Sequence, residues 1–261
     1  MTTSAASRFD AIYRARLHAG RPDWHDTAGT VREVLGYLDE LLGVADPPGS
    51  QAPARDVLEL GCGTGTLSFP LAGRGYSVLG LDISAVAITQ AAARSAGSSP
   101  QAQARFKVHD VTRPLPQLAQ RFDLVIDSLV LHYVTRPADR SRMLRLAARA
   151  LRPGGALLVM TMCQDPRQIP AGTWFDARTR CLISGDQAEC HYPSRQGLTE
   201  EFHRTGWQTE YQRIVSGNTG TGDQDMFLAV LKIIPACRLD DKGRTLASSR
   251  TNTRQGVRRA G

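Results

Sequence analysis

Through the middle of the chain, short apolar runs bounded by turn-forming residues alternate with stretches of helical periodicity. The apolar runs fall at residues 57–60, 77–81, 105–109, 122–127 and 156–161, and helical stretches at 66–74, 84–96 and 136–151 separate most of them. This alternation predicts βαβ crossovers and a parallel sheet buried on both faces. Arg152-Pro-Gly-Gly155 stops the last of these helices and turns the chain into the fifth strand, because proline cannot continue a helix. Two more strands are expected at 210–216 and 225–233, joined by Gly217-Asn-Thr-Gly-Thr-Gly-Asp223. A connection this short, with no helix in it, cannot cross over to a parallel neighbour, so the last pair is expected to be antiparallel. The fold class that follows is α/β: one Rossmann-like, doubly wound sheet, mostly parallel, with the last strand antiparallel.

Upstream, Val31, Val34, Leu35, Leu38, Leu41 and Leu42 recur at helical spacing and predict an amphipathic helix. Thr30 would cap it, with Glu33 three residues later completing a capping box. Residues 45–53, Ala-Asp-Pro-Pro-Gly-Ser-Gln-Ala-Pro, read as a linker. Between the fifth and sixth strands, residues 162–208 are too many for an ordinary connector. Long loops in compact domains tend to be functional, so an insertion over the substrate is expected there.

Composition narrows this picture. A chain of 261 residues can bury one substantial core, and its 41% hydrophobic and 22% charged content is ordinary for a globular protein. No apolar run approaches the roughly 20 residues needed to cross a bilayer. The first residues lack the regions of a secretory signal. The five cysteines, Cys62, Cys163, Cys181, Cys190 and Cys237, show no CxxC pair, which points to free thiols in a reducing, cytoplasmic setting. The net charge of +7 invites a nucleic-acid reading until it is located. From Pro235 onward seven Lys/Arg stand against two Asp, so +5 of the +7 lies in a polar tail and the body is close to neutral.

Four segments carry chemistry. Val57-Leu-Glu-Leu-Gly-Cys-Gly-Thr-Gly65 is a strand breaking into a glycine-rich turn and then a helix. Its main chain can approach a ligand without a Cβ in the way. A pyrophosphate-binding turn would read GxGxxG; here the third glycine comes one residue early, which disfavours a nicotinamide dinucleotide. In Val78-Leu-Gly-Leu-Asp82-Ile-Ser84, Asp82 sits near the spacing of a ribose-binding acid, while Ser84 would cap the next helix. In Phe106-Lys-Val-His-Asp110-Val111, Asp110 can accept from an exocyclic amine and Val111 can flank a ring; a plain turn is the alternative. Phe122-Asp-Leu-Val-Ile-Asp127-Ser-Leu-Val-Leu-His132-Tyr133 leaves its strand at the ligand-binding edge.

Taken in order, VLELGCGTG, VLGLDIS, HDV, FDLVIDSLVLHYV and LRPGGALLVM resemble the motif series of class I S-adenosylmethionine-dependent methyltransferases over about residues 55–162. The resemblance implies a seven-stranded sheet and S-adenosyl-L-methionine as cofactor. It implies that Glu59, Gly61, Cys62, Gly63 and Gly65 lie along the methionine part and ribose. Asp82, with Ile83, would take the ribose hydroxyls, Asp110 and Val111 the adenine, and Ser128 and Leu129 the edge after the fourth strand. Phe9-Asp-Ala-Ile-Tyr13 and Gly20-Arg-Pro-Asp-Trp24 are similar to the tyrosine and Pro-Trp segment of the thiopurine and tellurite-resistance methyltransferases, which covers the cofactor there. Asp23 interrupts the Pro-Trp pair. Tyr13 and Trp24 are therefore candidate cofactor contacts, with a buried aromatic staple as the alternative. Residues 1–54 would form a helical cap and linker, 55–234 the methyltransferase domain with a lid insertion at about 163–208, and 235–261 a flexible basic tail.

The expected activity is methyl transfer to an oxygen or nitrogen of a small-molecule acceptor, by a monomer or homodimer without membrane, metal or nucleic-acid partners. The alternatives are a methyltransferase acting on RNA or protein, and an NAD-binding oxidoreductase. A general base is needed only for an acceptor that stays protonated at neutral pH. His132 and His191 are the candidates, with Tyr133 behind them. In the insertion, Trp174, Phe175 and Tyr192 could wall an acceptor, and Arg167, Arg178 or Arg195 could clamp a carboxylate. Cys163, Cys181, Cys190 and His191 lack the paired spacing of a zinc site.

Overall fold

A computed structural model describes residues 4–21, 23, 28–42, 55–97, 104–215, 225–234, 238–239 and 245–246. Two helices come first, α1 (Ala5–His18) and α2 (Ala28–Leu42). The alternating region follows as β1 (Asp56–Leu60), α3 (Ser68–Gly73), β2 (Ser77–Asp82), α4 (Ala85–Ala96), β3 (Arg105–Val108), β4 (Phe122–Ser128), α5 (Pro137–Ala150) and β5 (Leu151–Met162). The insertion contains β6 (Thr173–Asp176), β7 (Cys181–Ser184), β8 (Gln187–His191) and α6 (Arg195–Arg204). The sheet is completed by β9 (Trp207–Val215) and β10 (Met226–Ile233).

The seven strands lie in the order β3-β2-β1-β4-β5-β10-β9. The β1–β2, β1–β4, β2–β3 and β4–β5 pairs are parallel, and β10 runs antiparallel to both its neighbours. The reversed last strand follows from the short 217–223 connection, which itself lies outside the described residues. Successive strand residues point to opposite faces, so each strand feeds two cores. Leu58, Leu60, Val125 and Val159 join Met143 and Ala147 of α5 and Phe202 of α6 in one cluster. Val57, Leu124, Ile126 and Leu158 join Val34, Tyr37 and Leu38 of α2 and Leu71 of α3 in the other. Each such fully buried aliphatic side chain contributes roughly 1.5–3 kcal/mol.

At the amino ends of the strands, Arg152 staples three of them together. Its guanidinium donates to Asp123 Oδ2 and Asp56 Oδ2, both at 2.7 Å, and Asp123 Oδ2 also accepts from the Asp56 N–H. This fixes the end of the sheet opposite the site.

Several boundaries differ from those expected. Strand β5 begins at Leu151, ahead of Pro153 and its glycines, because Leu151 pairs with Phe122 before the register shifts. Helix α2 begins at Ala28, so Thr30 lies inside it rather than at its cap, and Glu33 pairs instead with Arg213 of β9 at 2.8 Å. Helix α1 was not read as a separate element. Strands β6, β7 and β8 make an antiparallel three-stranded sheet, turning at Gly185 with φ +59°. The 45–53 linker and most of the basic tail lie outside the described residues; within the tail, Arg238–Leu239 and Thr245–Leu246 pair as a two-residue ribbon. Among the described residues no helix is long and apolar enough to cross a membrane, and Cys62, Cys163, Cys181 and Cys190 are buried free thiols.

Candidate active site

The glycine turn leaves β1 at its carboxyl end, the edge where open α/β sheets bind ligands. Gly61, Gly63 and Gly65 hold φ of +69°, +54° and +86°, a region side chains other than glycine's rarely adopt. Their surroundings demand glycine as well. A Cβ would fall 2.0 Å from Val130 Cγ2 at Gly61, 2.6 Å from Tyr13 Oη at Gly63, and 2.7 Å from Phe69 Cε2 at Gly65. Gly61 and Gly63 open onto a cavity of about 650 Å3. Gly65 does not; Phe69 and Phe106, with rings 5.6 Å apart, occupy its side of the turn.

The same cavity is lined by Tyr13, Glu59, Cys62, Asp82, Ile83, Asp110, Val111, Ser128 and Leu129. The structure thus brings together most of the residues singled out from sequence. Asp82 ends β2 and is buried, with Oδ2 accepting from Gly63 N–H and Oδ1 from Ser84 N–H, both at 2.8 Å. Its carboxylate therefore braces the glycine turn, and each oxygen retains a lone pair for a ligand hydroxyl. Ser84 caps α4, accepting from Ala87 N–H. Asp110 closes a local turn, accepting from both the N–H and the hydroxyl of Thr112. Beyond β4, Leu129 is held at φ +68° while its N–H donates to Met160 O at 2.8 Å. Asp127 fixes the rest of that bend, accepting from the N–H groups of Val130 and Leu131.

Helix α1 supplies the facing wall through Ala5, Phe9 and Tyr13, joined by Val31 of α2. Sequence reading missed what holds it there. Asp10 Oδ1 accepts from Ser84 Oγ at 2.6 Å and from Val86 N–H at 3.2 Å, so α1 docks on the amino end of α4. Asp23 Oδ1 accepts from Thr64 Oγ1 at 2.6 Å and Thr66 Oγ1 at 2.7 Å, locking the segment after α1 to the glycine turn. Arg94 completes that corner, donating to Thr64 O at 2.9 Å. Arg8 forms an ion pair with Glu189 of β8, and the Phe9 ring meets Tyr133 edge-on at 5.7 Å. The sequence signal was Asp23 itself, the acid that interrupts the Pro-Trp pair. Trp24 lies outside the described residues.

Burial sets the acid–base character of the wall. It raises the Glu59 carboxyl to about 8, against the hydrogen bond from Ser68 and with help from the neighbouring Asp82 charge. Burial likewise raises Asp82, against the backbone N–H groups of Ser84, Gly63 and Ile83, and brings Asp127 to about 7. The Cys62 thiol and Tyr13 hydroxyl are pushed well above their ordinary values by burial and then by the adjacent acids.

Neither expected base reaches the cavity. His132 belongs to the 3-10 turn Leu131–Tyr133, where its ring lies 4.2 Å from that of Tyr133. Its ring turns inward, 1% exposed and 3.4 Å from Thr161 Oγ1, while Tyr133 takes the cavity face. His191 is the last residue of β8, paired with Cys181 of β7 and buried, and burial together with the positive charge of Arg140 and Arg180 lowers its pKa to about 3. No described residue of the insertion lines the cavity. Trp174 points outward at 54% exposure, Phe175 packs edge-on against Tyr192, and Arg167 pairs with Asp225. The insertion supports the site from behind: Glu201 of α6 holds Arg140 of α5, whose guanidinium donates to the carbonyls of Val134 and Thr135 on the cavity wall.

Comparison with known proteins now bears on this geometry. A family model described as a methyltransferase domain matches residues 57–155. The chain is 30% identical over 178 residues to a ubiquinone biosynthesis O-methyltransferase of a Methylobacterium species, covering 64% of this chain and 69% of the relative. It is 29% identical over 173 residues to the protein of that name from Sinorhizobium fredii, covering 62% and 67%. Burkholderia thailandensis 1,6-didemethyltoxoflavin-N1-methyltransferase shares the fold alone, with a TM-score of 0.63 at 17% identity over 89% of this chain and 92% of that one. The chain belongs to the class I S-adenosylmethionine-dependent methyltransferases. It is an enzyme, its cofactor is S-adenosylmethionine, and the nicotinamide alternative falls. The residues present fit that cofactor: left-handed glycines leave main chain open to the cavity where any Cβ would collide, and a braced, buried carboxylate stands at the end of the next strand.

Proposed function

We propose that the protein transfers the methyl group of S-adenosylmethionine to an oxygen or nitrogen of a small-molecule acceptor in the cytoplasm. The observation that carries this reading is the size of the cavity. About 650 Å3 lies between the strand ends and α1, within the roughly 300–1,000 Å3 of small-molecule sites. The nearly neutral body outside the tail gives a nucleic-acid backbone little to bind, and the buried free thiols suit a reducing compartment. The similar proteins are named for O-methylation in ubiquinone biosynthesis, and the neighbour in fold was solved with 1,6-didemethyltoxoflavin bound.

The cofactor supplies an electrophilic methyl group, so the protein's work is alignment and exclusion of water. In the proposed assignment Gly61, Cys62 and Gly63 with Glu59 flank the amino-acid end, Asp82 and Ile83 hold the ribose, and Asp110 and Val111 meet the base. Tyr13, Phe9, Leu129 and Tyr133 then shape the space in front of the methyl group. His132 and His191, lying off the cavity, are not assigned the role of base.

Calorimetry with S-adenosylhomocysteine tests the assignment. Asp82→Asn should weaken binding roughly 10- to 100-fold, as loss of a charge-assisted hydrogen bond implies. Unchanged affinity would remove Asp82 from the site, and a wild-type protein that binds NADH but not S-adenosylhomocysteine would remove the whole reading. Labelled methyl transfer into RNA or protein fractions of an extract, rather than into small molecules, would overturn the acceptor class.

A further inference from the structure

Two acidic side chains, Glu59 and Asp82, stand on one face of the sheet at the carboxyl ends of neighbouring strands, 3% and 7% exposed, and both line the cavity. Buried acids are ordinarily paired with a cation or left neutral, because an isolated buried charge is costly. No arginine, lysine or histidine forms an ion pair with either of them among the described residues. Glu59 accepts from Ser68 of α3, a neutral donor, and the charge acting on it is Asp82, of its own sign. Cys62 of the glycine turn is adjacent, and Asp10 of α1 acts on Asp82. Tyr13 of α1 closes the front, with Arg16 acting on its hydroxyl. Arg113, Arg136 and Arg142 also line the cavity, but they pair with Asp110 and Asp139, so the corner formed by Glu59 and Asp82 has no cation of its own.

Resting on the cofactor assignment above, we propose that the cavity takes up the cofactor's positive group by exchange, with Glu59 giving up a proton to solvent as the cation arrives. In the free protein burial raises the Glu59 carboxyl to about 8, so its neutral form is favoured at pH 7. An entering ammonium or sulfonium favours the carboxylate over the carboxylic acid. The oxygen–hydrogen bond of Glu59 breaks, the proton leaves to buffer, and the carboxylate and cation remain as a buried pair. Cofactor affinity then rises with pH, and it does so through a residue that neither carries nor receives the methyl group.

Titration calorimetry of the intact chain at pH 7, in buffers of differing ionisation enthalpy, counts the protons released. The probes are S-adenosylmethionine, S-adenosylhomocysteine, which keeps the ammonium but not the sulfonium, and 5′-methylthioadenosine, which has neither. The expected result is release of close to one proton with a cationic probe and none with methylthioadenosine. Release with both amino-acid-bearing probes identifies the ammonium as the incoming cation, and release with S-adenosylmethionine alone the sulfonium; either supports the exchange. In Glu59→Gln the release should disappear. In the wild type, which avoids any folding defect of the variant, affinity for the releasing probe should fall by up to tenfold per pH unit from pH 7.5 to 6. Probe binding without release, or release that survives Glu59→Gln, overturns the exchange and leaves the methyltransferase reading standing. Failure of S-adenosylhomocysteine and S-adenosylmethionine to bind at all overturns both.

Discussion

Gly61→Ala separates conformational strain from collision, because both act at one position and only one can be relieved. Gly61 holds φ +69°, which costs a residue with a Cβ about 1–2 kcal/mol. The new methyl would also overlap Val130 Cγ2 at 2.0 Å. Val130 has little room to retreat: it is β-branched, its N–H is tied to Asp127 Oδ1 at 2.9 Å, and the preceding Leu129 is already left-handed. Overpacking of this kind costs about 1–3 kcal/mol, so the substitution should lose about 2–5 kcal/mol, a large share of the roughly 5–15 kcal/mol that holds a domain folded. Val130→Ala removes the colliding atom and leaves Val130 Cβ at 3.2 Å, a contact that small shifts accommodate. The double variant should therefore recover the collision and retain the dihedral penalty. Urea unfolding of the four proteins in a double-mutant cycle should show a favourable coupling of about 1–3 kcal/mol between the two substitutions. Additive effects, or a Gly61→Ala protein within about 0.5 kcal/mol of wild type, would refute the reasoning.

Replacing only Arg140 by Met, or only Glu201 by Gln, should cost about 3–5 kcal/mol by stranding a buried charge; replacing both with apolar residues should recover most of that, and single variants that melt like wild type would sink the idea. Glu59 and Asp127 have folded values raised to about 8 and about 7, so the stabilisation of the free protein is full below their ordinary carboxylate range and lost as pH rises through those values. Urea midpoints should accordingly fall between pH 5 and 8, less steeply in Asp127→Asn, and an unchanged slope in that variant contradicts Asp127 as a titrating group. Asp10→Ala removes the acceptor for Ser84 Oγ and Val86 N–H, a loss of about 1–3 kcal/mol, and should free α1, giving early proteolytic cleavage within residues 5–18 while the sheet persists; a wild-type cleavage pattern would show that Asp10 does not seat the helix.

The central sheet was legible because its strands are short, apolar and punctuated by glycine and proline, and because each acid of the site lies at or just beyond the carboxyl end of a strand. The reversed strand was legible from loop length alone. Helix α1 was not, because its docking depends less on an apolar stripe than on Asp10 reaching Ser84 and Val86, far away in sequence. The insertion's sheet was missed although Gly185-Asp186 is a two-residue hairpin signal; strands of four and five residues leave no periodicity to count. His132 shows the limit of reading a site from adjacency: in this 3-10 turn the His132 and Tyr133 rings lie 4.2 Å apart, yet only Tyr133 lines the cavity, and which one meets the ligand is a matter of rotation rather than of sequence.

The docking of α1 has a consequence in time. The helix precedes every group that holds it: Thr64, then Ser84 and Val86, then Glu189. As the chain leaves the ribosome, α1 has nothing to settle on until the first two strand–helix units exist, and its last anchor is made only with β8. The cavity therefore gains its front wall in two stages, Asp10 and Asp23 finding partners within the first two units and Arg8 only once β8 has formed, by closing stretches of chain whose entropic cost grows only slowly with length. A nascent chain halted after β5 would already contain the glycine turn, Asp82 and Asp110, yet still lack Glu189, the partner that pins the start of α1.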